Sequence, residues 1–302
     1  MTPNRSFFLA SRYSQRLLLA LSLFCVSCQP ETPSSRPDPA ILFASVPPQA
    51  FLLKTIAGDH FKVHTLIDPG QDPHHWMPNP KQMLALNKAK AWWPAGLPFE
   101  QKLLPKIKMT ANGPQIFLPG SHPVANHANN HSEHNDHKHD AHTWLSPPLL
   151  IKQSRSIADE LAQLDPQHRE FYQNQALLLE KKITALDQQI KRQLAPHQGR
   201  SFLIFHKALT HFADNYQLSQ QVIQSGDASP DPKRLRNIIK QARQDKNTLI
   251  ITQPQFDSQS ARMVAAAIGA RIVVIDPLAE DVLANLKHIA DTLSADFSQS
   301  NP

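Results

Sequence analysis

The stretch DPQHREFYQNQALLLEKKITALDQQIKRQLAP, which runs from Asp165 to Pro196, decides the fold because it predicts one long helix. Asp165 is a candidate N-cap, Pro166 suits the first helical position, and Pro196 ends the pattern. Apolar side chains recur in steps of three or four, as on one face of an amphipathic helix: Tyr172, Ala176, Leu179, Ile183, Leu186, Ile190 and Leu194. At about 1.5 Å per residue, the helix 166–195 would be about 40 Å long.

Short apolar segments lie on both sides of this helix and alternate with helical patterns. Four strand-like segments precede it: ILFASV (41–46), FKVHTLI (61–67), AWWP (91–94) and IFLPG (116–120). Four follow it: SFLIF (201–205), LSQQVIQ (218–224), NTLIIT (247–252) and RIVVI (271–275). Apolar strands that alternate with amphipathic helices predict parallel sheets covered on both faces.

We therefore expect an α/β fold with two lobes of parallel sheet flanked by helices. The N-terminal lobe spans 40–165, the C-terminal lobe spans 196–302, and the rigid helix 166–195 joins them as a spine. The alternative is that this helix pairs with a second copy in a coiled coil. We expect a monomer, because a helix between two α/β halves is explained more simply as their connection.

Residues 1–28 are typical of a secretory signal peptide. Three arginines and no acidic residue precede the apolar segment LLLALSLFCVSC (17–28), which is too short to span a bilayer comfortably. Its end, CVSC, resembles a bacterial lipobox with Cys28 as the lipidated residue; ordinary cleavage a few residues later is the alternative. Residues 29–39, QPETPSSRPDP, predict a tether. We expect a periplasmic or extracytoplasmic protein, anchored to a membrane by lipid at Cys28.

Cysteine content and charge narrow the class of protein further. Cys25 and Cys28 are the only cysteines in the sequence, so the rest of the chain cannot form a disulfide. Removing the three arginines of the signal from the 31 basic residues, against 25 acidic ones, lowers the formal net charge from +6 to about +3. Such a small excess is typical of a solvated surface, and we expect no nucleic-acid partner.

Three histidines and one aspartate follow predicted strands. Ligands of parallel α/β proteins bind at the carboxyl ends of the strands. His206 and Asp276 directly end strands of the second half, whereas His74 and His142 follow strands of the first half after short or long insertions. These four side chains could therefore converge on a cleft between the lobes. Three imidazoles and one carboxylate suit four-coordinate Zn²⁺, while Mn²⁺ prefers more oxygen ligands.

A His-rich loop, 121–140, precedes His142. Histidine-rich tracts are usually disordered and bind divalent metal loosely. We expect the loop to collect Zn²⁺ weakly beside the cleft, with Glu133, Asp136 and Asp140 adding oxygen ligands; a solvated linker without function is the alternative. Its proposed weak ligands are His122, His127, His131, His134, His137 and His139.

Several segments together resemble the sequence motifs of one known family. They occur in the same order as in the family and at compatible spacing. They are GQDPHHWMPNPKQM (70–83), GLPFE (96–100), DAHTWLSP (140–147), FLIFHKALTHFADNYQL (202–218) and IDPLAED (275–281). The chain resembles the substrate-binding proteins of bacterial ABC transporters for zinc and manganese, and most of all the zinc-uptake type, over roughly 41–293. It departs from the family at Ala141, where a proline is usual, and at Gln253, where zinc-type relatives often have glutamate.

The resemblance implies a metal site formed by His74, His142, His206 and Asp276. It implies a protein that captures Zn²⁺ and delivers it to an ABC permease and its ATPase. Alternatives are a manganese-binding member, a metal-dependent adhesin or storage lipoprotein, and a zinc hydrolase. The hydrolase is disfavoured because the sequence lacks an H-E-x-x-H motif. His75 is expected to point away from His74 and to be exposed or to support a ligand from behind. The remaining histidines are expected to be ordinary polar residues: His60, His64, His168, His197, His211 and His288.

Overall fold

Two four-stranded parallel sheets form the framework. The structure is a computed structural model that describes residues 38–119, 140–224, 231–256 and 259–299. The signal segment with Cys28, nearly all of the tether and the six histidines of the His-rich loop lie outside the described residues. Pro39–Pro302 group into one compact unit.

The first sheet has the strand order β2-β1-β3-β4. Its strands are β1 (Ala40–Ala44), β2 (Phe61–Thr65), β3 (Ala91–Trp93) and β4 (Gln115–Ile116). Helices α1 (Pro47–Ala57), α2 (Pro80–Asn87) and α3 (Pro98–Lys108) connect them. Each helix has a proline in its first turn, where the missing N–H group costs no hydrogen bond. All strand pairs are parallel, so their carboxyl ends share one edge.

The second sheet repeats this arrangement with the order β6-β5-β7-β8. Its strands are β5 (Ser201–Ile204), β6 (Ser219–Val222), β7 (Leu249–Thr252) and β8 (Arg271–Val274). The accompanying helices are α6 (Thr210–Asn215), α7 (Pro232–Gln244), α8 (Gln259–Ile268) and α9 (Val282–Gln299). The central strand β7 is buried along its whole length, as expected for a strand covered by helices on both faces.

Two long helices lie between the sheets in the chain. Helix α4 (Pro147–Leu164) packs against α5 (Arg169–Leu194), which also contacts α1 of the first lobe and α9 at the end of the chain. Turns of 3-10 helix, Pro166–His168 and Ala195–His197, flank α5. The expected fold of two parallel sheets flanked by helices, with one long helix, is confirmed.

The structure differs from the sequence-based expectation in two details of the long helix. Asp165 precedes the first 3-10 turn, but its side chain makes no capping hydrogen bond; it accepts hydrogen bonds from Tyr172 Oη and His168 Nδ1, each 2.6 Å away. The buried face continues through Asp187, while Leu186 is only half-buried. Asp187 is accommodated because it accepts a hydrogen bond from Tyr216 Oη at 3.0 Å.

Buried side chains connect the two lobes. One apolar cluster extends from β1 through the inner face of α5 to α9, and a smaller one lies between the second sheet and helices α7 and α8. Across the lobes, Trp144 Nε1 donates a hydrogen bond to the carbonyl of Pro277 at 2.7 Å. In the part of the chain that the structure describes, no helix is both long enough and apolar enough to cross a membrane.

Candidate metal site

His206 lies two residues beyond the end of β5 and is fixed at its backbone by Gln253. The Gln253 amide accepts a hydrogen bond from the His206 N–H at 3.2 Å and donates one to the His206 carbonyl at 2.9 Å. The imidazole is buried and stacks on the Phe256 ring, with centroids 4.5 Å apart. Gln253 stands where zinc-type relatives often have glutamate. In this chain its amide therefore orients the backbone of His206.

The hydrogen bonds of His206 indicate which ring nitrogen carries the proton. Its Nδ1 lies 3.3 Å from Oε1 of Gln224. An amide oxygen can only accept, so Nδ1 donates, and in the neutral ring Nε2 then carries the lone pair. A lone pair on Nε2 is what a metal ion requires.

His74 reaches His206 from the first lobe. Its segment is ordered by Asp72, whose Oδ1 accepts the His74 N–H at 2.9 Å and whose Oδ2 lies 2.6 Å from Nδ1 of the exposed His75. The Nε2 atoms of His74 and His206 lie 3.0 Å apart. The structure thus brings together two of the predicted ligands, one from each lobe.

His142 is a second neighbour of His206, with ring centroids 6.1 Å apart. Asp140 Oδ1 accepts both the His142 N–H at 3.0 Å and its Nδ1–H at 2.7 Å. Asp140 Oδ2 accepts the N–H of Thr210 at 3.2 Å, which ties the pair to the second lobe. Because Nδ1 donates to the carboxylate, Nε2 is the ring atom left to coordinate a metal.

Asp140 is therefore part of the folded site, and its assignment to the His-rich loop was wrong. Its side chain is fully buried. Burial alone would raise the pKa of the Asp140 carboxyl, but the hydrogen bonds from His142 and Thr210 and the charge of His142 hold that pKa well below its usual range. An ionised carboxylate bonded to a histidine fixes the ring and increases its basicity. The D-x-H spacing in DAHTWLSP was the sequence signal for this role.

Burial also keeps His206 in the neutral form. Desolvation first, and then the positive charges that His74 and His142 can carry, lower the pKa of His206 to about 4. Neutral imidazole is the form that binds metal. Near neutral pH the His206 ring is consequently ready to coordinate without losing a proton.

Asp276 lies just beyond β8, beside the segment that carries His142. Asp276 Oδ1 accepts hydrogen bonds from Gln255 Nε2 at 2.6 Å and from the Leu278 N–H at 2.9 Å. The link from Trp144 to the carbonyl of Pro277 joins the two segments. The side chain of Gln255 and the backbone after β8 thus orient the carboxylate.

The segment GLPFE forms a tight turn around a buried carboxylate. Glu100 accepts the backbone N–H groups of Ala95, Gly96 and Leu97 at 2.7–2.9 Å. Burial raises the pKa of Glu100, and these hydrogen bonds oppose the effect. Glu100 therefore stabilises the loop after β3, and its role is structural.

Comparison with known proteins identifies the family. The model of the family described as "ZnuA: Zinc-uptake complex component A periplasmic" matches residues 42–295. A crystal structure of ZnuA is 32% identical in sequence, superposes with a TM-score of 0.77, and covers 86% of this chain and 100% of that chain.

Two curated relatives carry zinc in their names. The high-affinity zinc uptake system protein ZnuA of Yersinia pestis is 24% identical, over 84% of this chain and 88% of its own. The zinc-binding lipoprotein AdcA of Streptococcus pneumoniae is 28% identical over 74% of this chain, which covers 47% of AdcA. The chain belongs to the ZnuA family of periplasmic zinc-uptake components, which are metal-binding transport proteins and not enzymes.

Proposed function

We propose that this protein captures Zn²⁺ in the cleft between its lobes and delivers it to an ABC permease driven by an ATPase. The supporting observation is the 3.0 Å separation of His74 Nε2 and His206 Nε2, which come from different lobes. Two nitrogens bound to Zn²⁺ at about 2.0–2.1 Å in tetrahedral geometry lie about 3.3 Å apart. The pair needs only a small adjustment to accept the ion.

His142 supplies the third nitrogen in this proposal. Asp140 fixes its ring orientation and its tautomer. Closing the His142–His206 distance around the ion would complete a set of three neutral imidazoles. Nitrogen ligands favour Zn²⁺ over Mn²⁺, which prefers carboxylate and other oxygen ligands. The zinc in the names of the family and its relatives supports the same choice.

We propose Asp276 as the fourth ligand, with a water molecule as the alternative. Both hydrogen bonds to this carboxylate end on Oδ1, so Oδ2 is the oxygen that would bind the ion. One carboxylate with three imidazoles leaves a net charge of +1 at the site.

The remaining parts of the chain have proposed roles outside the described residues. Residues 1–28 would direct export, Cys28 would carry lipid, and 29–39 would tether the folded unit to a membrane. The His-rich loop, now restricted to 121–139, would collect Zn²⁺ weakly near the cleft. A monomer is sufficient for these roles because both halves of the site come from one chain.

Metal content and selectivity test the proposal. The protein is purified without added metal, its metal is identified by elemental analysis, and the metal-free protein is titrated with Zn²⁺ and Mn²⁺ in competition. We expect one tightly bound Zn²⁺ that excess Mn²⁺ does not displace.

Growth of the source bacterium provides a second test. Without this gene, growth should fail in chelated medium and recover with added zinc. Tight binding of Mn²⁺, or recovery with manganese alone, would overturn the proposal.

A further inference from the structure

A second group of metal-ligating side chains lies outside the proposed ligands of the cleft. His60, Asp165 and His168 place one ligand atom each within 4.8 Å of one another. The sequence-based expectation treated both histidines as ordinary polar residues. We propose that these three side chains form a second site for a divalent transition metal, with Zn²⁺ as its most suitable occupant.

The site joins two separate parts of the fold. His60 ends the 3-10 turn Gly58–His60 that follows α1, whereas Asp165 and His168 belong to the turn that precedes α5. The two imidazole rings are tilted by 33° to each other, with centroids 3.9 Å apart. His168 Nδ1 lies 2.6 Å from Asp165 Oδ2. A bound ion would therefore tie the end of α1 to the start of the long helix.

The three donors suit zinc in number and type. Two imidazole nitrogens and one carboxylate oxygen, with an open fourth position for water, form a common zinc ligand set. Ligand atoms around tetrahedral zinc lie about 3.3 Å apart, so a cluster already within 4.8 Å closes by rotation of side chains. All three residues are partly exposed, which gives the ion and its water a direct path to solvent.

Aromatic neighbours hold the ligands in place. Tyr172 Oη donates to Asp165 Oδ2 at 2.6 Å, and this tyrosine is fully buried in the core. His60 contacts the edges of Phe171 and Tyr172, with ring centroids 4.8 and 5.7 Å away. A second group that orients a ligating carboxylate is typical of real metal sites.

The charge of the cluster also favours a cation. Partial burial would raise the pKa of Asp165, but the hydrogen bonds from Tyr172 and His168 and the nearby imidazoles lower that pKa below its ordinary value. Asp165 is therefore ionised at neutral pH, and its negative charge attracts a cation. A divalent ion would replace the hydrogen bond between His168 and Asp165 with two coordinate bonds.

Zinc stoichiometry tests the second site. The reference protein carries asparagine in place of the six histidines of the loop, which removes weak binding there. In equilibrium dialysis with Zn²⁺ alone, a variant that adds His60→Asn and His168→Asn should bind one equivalent fewer than the reference. His288→Asn, at an exposed histidine of α9, serves as the matched control and should lose none. Equal stoichiometry in the reference and the double variant would overturn the proposal.

The comparison does not depend on the cleft site. If zinc failed to bind there, the reference and the double variant would still differ by one equivalent. If the double variant did not fold, imidazole NMR resonances of the reference protein provide the second test. The resonances of His60 and His168 should shift as Zn²⁺ is added, and unchanged resonances at saturating Zn²⁺ would contradict the proposal.

Discussion

The Nε2 atoms of His74 and His206 lie 3.0 Å apart although the two residues belong to different lobes. His206 Nδ1 donates to Gln224, so the short contact joins the His74 N–H to the lone pair of His206 Nε2. This contact joins the two halves of the cleft. In the proposed site, the same two atoms would become ligands of the ion.

The metal-free protein should lose stability in mild acid because of His206. Its pKa is about 4 in the folded state and about 6.5 in an unfolded chain. Between these pH values the unfolded state binds a proton that the folded state excludes, so the free energy of unfolding falls as the pH drops from about 6.5 to 4. The loss is about 3 kcal/mol, at about 1.4 kcal/mol per pH unit.

Urea unfolding of the metal-free protein across this pH range measures the effect. The His206→Gln variant lacks the titrating group, so its free energy of unfolding should change less between pH 6.5 and pH 4. Groups away from the cleft titrate equally in both proteins, so the difference between the two curves reports His206 and its coupling to His74 and His142. Parallel curves would contradict the assigned protonation of this residue.

Asp140→Asn should weaken zinc binding although Asp140 does not touch the ion. Asparagine can present its NH₂ group to His142 Nδ1 and so favour the tautomer with its proton on Nε2. Loss of such an orienting carboxylate typically costs 10- to 100-fold in metal affinity. Chelator competition measures the change, and Asp159→Asn, at an exposed aspartate of α4, should leave affinity unchanged.

Removing the His-rich loop should separate weak binding from tight binding. Residues 121–139 are replaced by a short Gly/Ser bridge, and Asp140 is retained because it fixes His142. We expect several weak zinc equivalents to disappear and one tight equivalent to remain in a calorimetric titration. Loss of the tight equivalent with the fold intact would mean that loop histidines bind the captured ion directly.

Asp276→Asn should reduce zinc affinity less than removal of a histidine. The amide oxygen can still accept the hydrogen bonds from Gln255 and Leu278, so the strand end keeps its conformation. The variant loses only the charged oxygen, and water can occupy that position. Calorimetry of this variant beside His142→Ala gives the comparison. An equal or larger loss in Asp276→Asn would make the carboxylate an essential ligand.

Periodicity and strand-end position explain why much of the fold and site was predictable. The steps of three and four in 166–195 and the eight apolar segments correspond to the long helix and the eight strands. His74 and His206 were found because the carboxyl ends of parallel strands meet at one edge. Both kinds of signal depend only on residues that are close together in the chain, so they can be recognised in the sequence alone.

Contacts that depend on the packing of distant turns could not be predicted in the same way. Asp140 was hidden at the end of a low-complexity tract, and its surroundings include Thr210 and His211, which are distant in the chain. His60 and His168 are far apart in the chain and meet because α1 packs against α5. Asp165 had the sequence features of a helix cap, yet Tyr172 and His168 compete successfully for its carboxylate.

The most direct test of the account is the zinc affinity of His206→Ala, measured by competition with a chelator. The unaltered protein and a His197→Ala control, changed at a histidine outside the cleft, should bind the tight Zn²⁺ of the cleft with equal affinity. His206→Ala should bind it at least about 100-fold more weakly, because a ligand matters more than the outer groups whose loss costs 10- to 100-fold. Unchanged affinity in His206→Ala, with the fold retained, would show that the ion is not held by these histidines.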